Sequence, residues 1–139
     1  MTNGSNAVAL ITILTSLSAC TSQKLFSNEI YLLNSCGQTL QIVVAHDSNV
    51  DLPERTLTVL PGGRELIGLY RASQKEDVIG QIQDAYELRI SGRNGASLQV
   101  NASTLKTHLQ HVEKIEKGVA RQWVIENPLF CPGKGTSVP

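Results

Sequence analysis

Ala85-Tyr86-Glu87-Leu88-Arg89-Ile90-Ser91-Gly92-Arg93-Asn94-Gly95-Ala96-Ser97-Leu98-Gln99-Val100 is the stretch on which the fold class turns. From Ala85 to Ser91 the side chains alternate, with Tyr86, Leu88 and Ile90 on one side and Glu87, Arg89 and Ser91 on the other. Successive side chains of a strand point to opposite faces, so this spacing predicts a half-buried β-strand rather than a helix. Asn94-Gly95 tolerates the positive φ that tight hairpin turns require, and Leu98 and Val100 resume the alternation on the return strand. The segment reads as a β-hairpin with one core-facing side.

Upstream, Ile30 to Leu33 is a short run of strand formers, Asn34 to Gln38 is turn chemistry, and Leu40 to Ala45 is again strand-like. These predict a second hairpin, with Cys36 near its turn. His46 to Arg55 is polar, contains Pro53, and reads as a loop. Leu57 to Leu60 predicts a strand, and Leu60-Pro61-Gly62-Gly63 a tight turn in which proline fixes φ and glycine supplies positive φ. Glu65 to Tyr70 predicts another strand, with Leu66 and Tyr70 on one face and Ile67 and Leu69 on the other. Ser73 and Glu76 form a capping-box pattern ahead of Val78-Ile79, and Gly80 is placed to stop a single helical turn.

Downstream the period changes. Leu105, Leu109 and Val112 are spaced to share one helical face, with Ser103 as the expected cap and an end near His111 or as late as Lys117. Val119 to Ile125 then predicts a strand carrying Trp123 and Ile125 on one face, closed by Asn127-Pro128. Turn signals recur roughly every eight to twelve residues, the spacing of sandwich and barrel folds. The expected fold is mainly β: a small antiparallel β-sandwich or barrel with one short helix late in the chain. No βαβ alternation and no Gly-rich phosphate loop appears.

The start of the chain has a different character. Met1 to Ala19 holds no Asp, Glu, Lys or Arg, and Ala7 to Leu17 is almost wholly apolar or small. That run is shorter than the ~20 apolar residues a spanning helix needs, and it matches a signal-peptide hydrophobic region. It ends in Leu17-Ser18-Ala19-Cys20, which resembles the lipobox of bacterial lipoproteins: an aliphatic residue, two small residues, then cysteine. The first six residues depart from the usual leader in carrying no Lys or Arg. The resemblance implies cleavage before Cys20, a diacylglycerol thioether on its sulfur and an acyl chain, such as palmitate, on the new amine. With Thr21 rather than Asp next, it also implies an outer-membrane location facing the periplasm. The implied organisation is a signal peptide over 1–19, a lipidated tether over 20–28, a β-rich periplasmic domain over 29–132 and a disordered tail over 133–139.

In an exported chain the remaining pair, Cys36 and Cys131, reads as a disulfide; in a cytosolic chain it would read as two buried thiols. The chain has twelve basic and twelve acidic residues. That balance argues against nucleic acid as a partner and against strong attraction of the whole protein to anionic membranes.

Candidate chemistry is sparse. His108 and His111 share a helical face, but a metal site needs three or four ligands and His46 lies far away in sequence, so no metal or other cofactor is expected. His46-Asp47-Ser48 has the residue types of a nucleophilic triad, yet triads are assembled in space from separate segments, and a polar loop is the simpler reading. Trp123 reads as a core anchor, or else as an interface hot spot. The expectation is a non-enzymatic envelope protein, held to the membrane by Cys20 and binding a protein partner, with Trp123, His46 and Asp47 as candidate contact residues and one edge strand open to a partner's sheet. The alternatives are an inhibitory or ligand-binding lipoprotein that inserts the His46 to Arg55 loop, and a hydrolase.

Overall fold

The computed structural model describes residues 23–126 and 128–133. The leader, Cys20 and the tail from 134 onward lie outside the described residues. The chain forms β1 (Phe26–Leu33), β2 (Leu40–Ala45), β3 (Arg55–Val59), β4 (Arg64–Ala72), α1 (Val78–Gln81), β5 (Glu87–Gly92), β6 (Ser97–Asn101), α2 (Ala102–Leu109), β7 (Lys114–Lys117) and β8 (Ala120–Ile125). A 3-10 turn, Pro128–Phe130, follows. The strands make two four-stranded sheets, one ordered β4-β1-β8-β7 and the other β3-β2-β5-β6. This is the β-sandwich the alternation predicts. None of the described helices is long and apolar enough to cross a membrane.

The β3-β2-β5-β6 sheet is antiparallel throughout. Its β5–β6 hairpin is the one the alternation around Asn94-Gly95 predicts, whereas β2 pairs with β3 and β5 in place of the expected β1–β2 hairpin. Its register lines up Leu57, Ile42, Ile90 and Leu98 across all four strands. Ile42, Val44, Leu88, Ile90 and Val100 are buried on its inner side. The β5–β6 turn is wider than a two-residue hairpin: Gly95 N–H donates to Gly92 O, Gly92 N–H to Ala96 O, and Gly95 sits at φ 77°.

The β4-β1-β8-β7 sheet departs from expectation in several places. β1 and β2 do not form a hairpin; they belong to opposite sheets. Asn34 makes the crossing possible, because its buried side-chain amide donates to Gln38 O and Val59 O while its Oδ1 accepts from Cys36 N–H. β1 begins at Phe26, so the fold starts earlier than Glu29 and takes in the end of the expected tether. β1 lies parallel to β8, the single parallel strand pair among the described residues. Lys114–Lys117, expected as helix or loop, is the edge strand β7; its four residues are all exposed, which leaves no apolar alternation to read.

The face assignment of β4 is also corrected. Ile67 and Tyr70 are buried, whereas Leu66 and Leu69 are only half-buried on the outer side. A β-bulge is the cause: Gly68 pairs with Ile30 and Leu66 with Tyr31, leaving Ile67 as the extra residue. Gly68 suits this site because a Cβ there would lie 3.0 Å from Ile30 Cδ1 and 3.2 Å from Tyr70 Cε2. The caps move as well. Asn101 rather than Ser103 caps α2, accepting from Thr104 N–H at 2.9 Å, and Asp77 rather than Ser73 caps α1.

α2 turns Ala102, Leu105 and Leu109 into the core. Phe130 and Cys131 close the sandwich beside it, and Cys131 is bonded to Cys36. This bridge spans 95 positions. Replacing both cysteines by serine is expected to lower unfolding free energy by about 2–5 kcal/mol. A urea midpoint unchanged by that replacement would show that closing the loop contributes nothing.

Candidate functional site

The loop from His46 to Glu54 carries two of the candidate contact residues. His46 is the one non-glycine residue among those described with positive φ, at 54°. This left-handed turn takes the chain off the end of β2 and across to the outer edge of β4. There Leu69 N–H donates to Asp47 O at 2.8 Å, and Ser48 bridges to Leu69. Asn49 behaves as a surrogate strand: its amide donates to Arg71 O and its Oδ1 accepts from Arg71 N–H. The loop thereby covers a sheet edge that would otherwise be open to another chain.

Asp47 is buried, with its carboxylate ion-paired to the Arg55 guanidinium. Arg55 also donates to Leu66 O at 3.0 Å, and Tyr86 donates to Ile67 O at 3.1 Å. Leu66 and Ile67 are the bulge residues, so side chains here satisfy carbonyls where the ladder is interrupted. Burial, and then the nearby Asp47 charge, push the Tyr70 hydroxyl well above the usual tyrosine range. The cluster is an interior structural network.

Of the three candidate contact residues, Trp123 is in the core opposite Ile30, Asp47 is buried, and His46 alone is exposed. His46, Asp47 and Ser48 line a shallow recess of about 160 Å³ with Gln83. They are not arranged as a triad: Asp47 is paired with Arg55, Ser48 Oγ accepts from Val50 N–H at 3.2 Å, and no hydrogen bond among the described residues joins His46 to either. The tip of the loop exposes Val50 and Leu52. His108 packs edge-on against Phe130 at 4.8 Å, and burial, then His111, lower its pKa. Among the described residues no three His, Cys, Asp or Glu side chains gather into a metal site.

Two surfaces escape the sequence reading. The first is the outer face of the β4-β1-β8-β7 sheet. Ser27, Glu29 and Tyr31 alternate outward from β1, opposite Arg71, Leu69 and Leu66 of β4 and Ala120, Gln122 and Val124 of β8. Glu29 is the hub, accepting from Ser27, Tyr31 and Gln122 at 3.1, 3.0 and 2.7 Å. Partial burial works to raise its pKa, but hydrogen bonds from Gln122, Tyr31 and Ser27, with the Lys117 charge, outweigh it and leave the carboxyl below its ordinary value. Leu25, Phe26, Leu66 and Leu69 border a groove of about 320 Å³ beside it. The Arg64 guanidinium stacks over Tyr31 at 4.5 Å.

The second is a groove of about 210 Å³ at the edge strand β6, formed by Leu98 and Val100 with Thr104, His108, Leu129 and Phe130. The three other sheet edges differ in how they are finished. β4 is covered by the Asp47–Asn49 segment, β7 carries Lys114, Glu116 and Lys117, and β3 begins at the buried ion pair of Arg55. Comparisons with protein-family models, curated proteins and solved structures find no match to this chain.

Arg55→Ala would leave the Asp47 carboxylate buried and unpaired, at an expected cost of about 3 kcal/mol or more. Arg89→Ala, which removes exposed contacts to Glu54 and Glu87, is expected to cost less than about 1 kcal/mol. Equal shifts of the two urea midpoints would count against a structural role for the interior pair.

Glu29 sets a pH dependence. Its folded pKa lies below the ordinary 4.5, so its stabilisation is present above that value and is lost as pH falls through the folded pKa. Glu29→Gln is expected to reduce stability at neutral pH and flatten the acid limb of a stability–pH curve. A variant whose curve runs parallel to that of the parent would exclude the hydrogen-bonded carboxylate as a contributor.

Proposed function

We propose that this chain is a lipid-anchored envelope protein, cleaved before Cys20, acylated there and held at the outer membrane facing the periplasm. In this reading it is a non-enzymatic accessory module that binds an extended segment of another envelope protein in a membrane-associated assembly. The observation that carries the binding role is the β6 edge: a border strand flanked by an apolar groove, in a sandwich whose β4 edge is covered and whose β7 edge is charged. A partner strand paired with β6 would gain main-chain hydrogen bonds, and the half-buried Leu98 with the exposed Leu129 would supply apolar contact for its side chains. The Cys36–Cys131 bond supports export, since such bonds persist in oxidising compartments.

The test is made on protein isolated from the envelope fraction. Non-reducing peptide mapping is expected to yield an acylated peptide beginning at Cys20. A photo-cross-linking residue at Gln99, on the exposed side of β6, is expected to capture a discrete envelope protein, whereas one at Thr58 is not. An unmodified peptide running through Ala19-Cys20-Thr21 would remove the anchor, and equal capture from both positions would remove the β6 site. The inhibitory reading keeps one point in its favour, the exposed Val50 and Leu52 at the loop tip; it requires Leu52→Asp, and not the β6 probes, to abolish binding.

A further inference from the structure

We propose that the outer face of the β4-β1-β8-β7 sheet rests on the surface of the bilayer and takes anionic lipid headgroups at its rim. This deepens the lipid-anchored reading and depends on it. The first support is position. Leu25 and Phe26, where the described chain begins to enter β1, form one end of the apolar groove on this face, and Leu25 is 54% exposed. Leu25 is five residues beyond Cys20. Five extended residues reach at most ~17 Å, so an acylated sulfur would keep this end of the sheet close to the membrane.

Charge is the second support. The whole chain is neutral, but the faces are not alike. Lys24, Arg64, Arg71 and Lys117 stand around the apolar residues of this face, with Lys24 5.6 Å above the Phe26 ring. Two carboxylates oppose these four cations. Glu29 is held by three internal donors, and Glu126 lies at the far end, beside Leu33 and Pro61. Basic residues around exposed apolar side chains suit an anionic, amphipathic surface.

The opposite outer face lacks both features. Gln41 and Thr58 hydrogen-bond across strands there, and Arg89 is matched by Glu54 and Glu87. Resting the sheet face on the bilayer leaves the β6 groove, which belongs to the other sheet, free for the partner segment.

The experiment uses the full matured chain isolated from bacterial envelopes. It is reconstituted in phosphatidylethanolamine–phosphatidylglycerol vesicles containing a trace of diazirine-bearing lipid, illuminated and peptide-mapped. Lipid adducts on peptides covering 25–31 and 64–71 are expected to exceed those on 41–45 and 87–91 by about fivefold or more, the factor that one basic residue near an anionic surface supplies. The double variant Arg71→Glu with Lys117→Glu is expected to bring the ratio near parity, with the disulfide intact. Adducts shared equally by the two sheets on a chain acylated at Cys20 would overturn this inference and leave the anchor standing. Biased adducts on a chain with unmodified Cys20 would support the face and remove the anchor. No adducts with Cys20 unmodified would remove both. A bias that survives charge reversal would overturn the role given to the basic rim.

Discussion

The parallel pairing of β1 with β8 is the constraint on which the rest of the structure hangs. It joins the start of the fold to its end in the middle of one sheet, with Ile30 beside Trp123 and Leu32 beside Ile125. Because the two strands run the same way, their C-terminal ends lie side by side. The short segments that follow them then bring Cys36 and Cys131 to a Cα separation of 5.4 Å. Antiparallel neighbours would have sent those segments to opposite ends of the sheet. The disulfide is thus a consequence of topology as much as a contributor to it, and it locks the pairing with the greatest loop-closure cost.

The second organising feature is the handling of polar groups where the sandwich is irregular. The bulge in β4 gives the core Ile67 and Gly68 in succession, and it interrupts the ladder at two carbonyls. Arg55 and Tyr86 reach those carbonyls from the other sheet, and Asp47 offsets the charge that Arg55 brings. The inward ends of β1 and β8 follow the same logic: Asn28 and Arg121 both donate to Glu76 O from beneath the α1 segment. Burying polar groups is costly unless they are bonded, so these contacts tie the crossing loops to the sheets in one arrangement.

Legibility in the sequence divides along the same line. Although the order of its strands is not local information, each strand of the β3-β2-β5-β6 sheet is readable, because it keeps a period of two, and the β5–β6 turn carries asparagine and glycine in their usual place. The other sheet is not. A bulge shifts the phase of β4, β7 is a charged edge strand with no apolar row, and β1 pairs with β4 and β8 rather than with its nearest neighbour in sequence. Pairing between distant segments leaves no local mark. An even pair of cysteines in an exported chain points to the Cys36–Cys131 bond without any topology. The surfaces leave weaker marks. Asp47 looks like a loop carboxylate until Arg55 is seen to meet it, and Trp123 reads first as a core anchor, which it is, with an interface as the alternative. Glu29, Leu66 and Arg71 show their common face only once the register is known, although the alternation Ser27, Glu29, Tyr31 was there to be read.

The parallel centre also sets a timetable. A polypeptide emerges from its N-terminus, and residues 40–101 contain every strand of the β3-β2-β5-β6 sheet. That sheet can assemble while β8 has yet to appear. β1, the first strand made, has its β4 edge satisfied early and its other edge empty until nearly the last residues of the fold arrive. During that interval half of the core has no lid, and any chain cut short before Ala120 keeps β1 unpaired on that side for good. Completion of the C-terminal strand is in effect the checkpoint between a nascent chain that other polypeptides can still invade and a finished molecule.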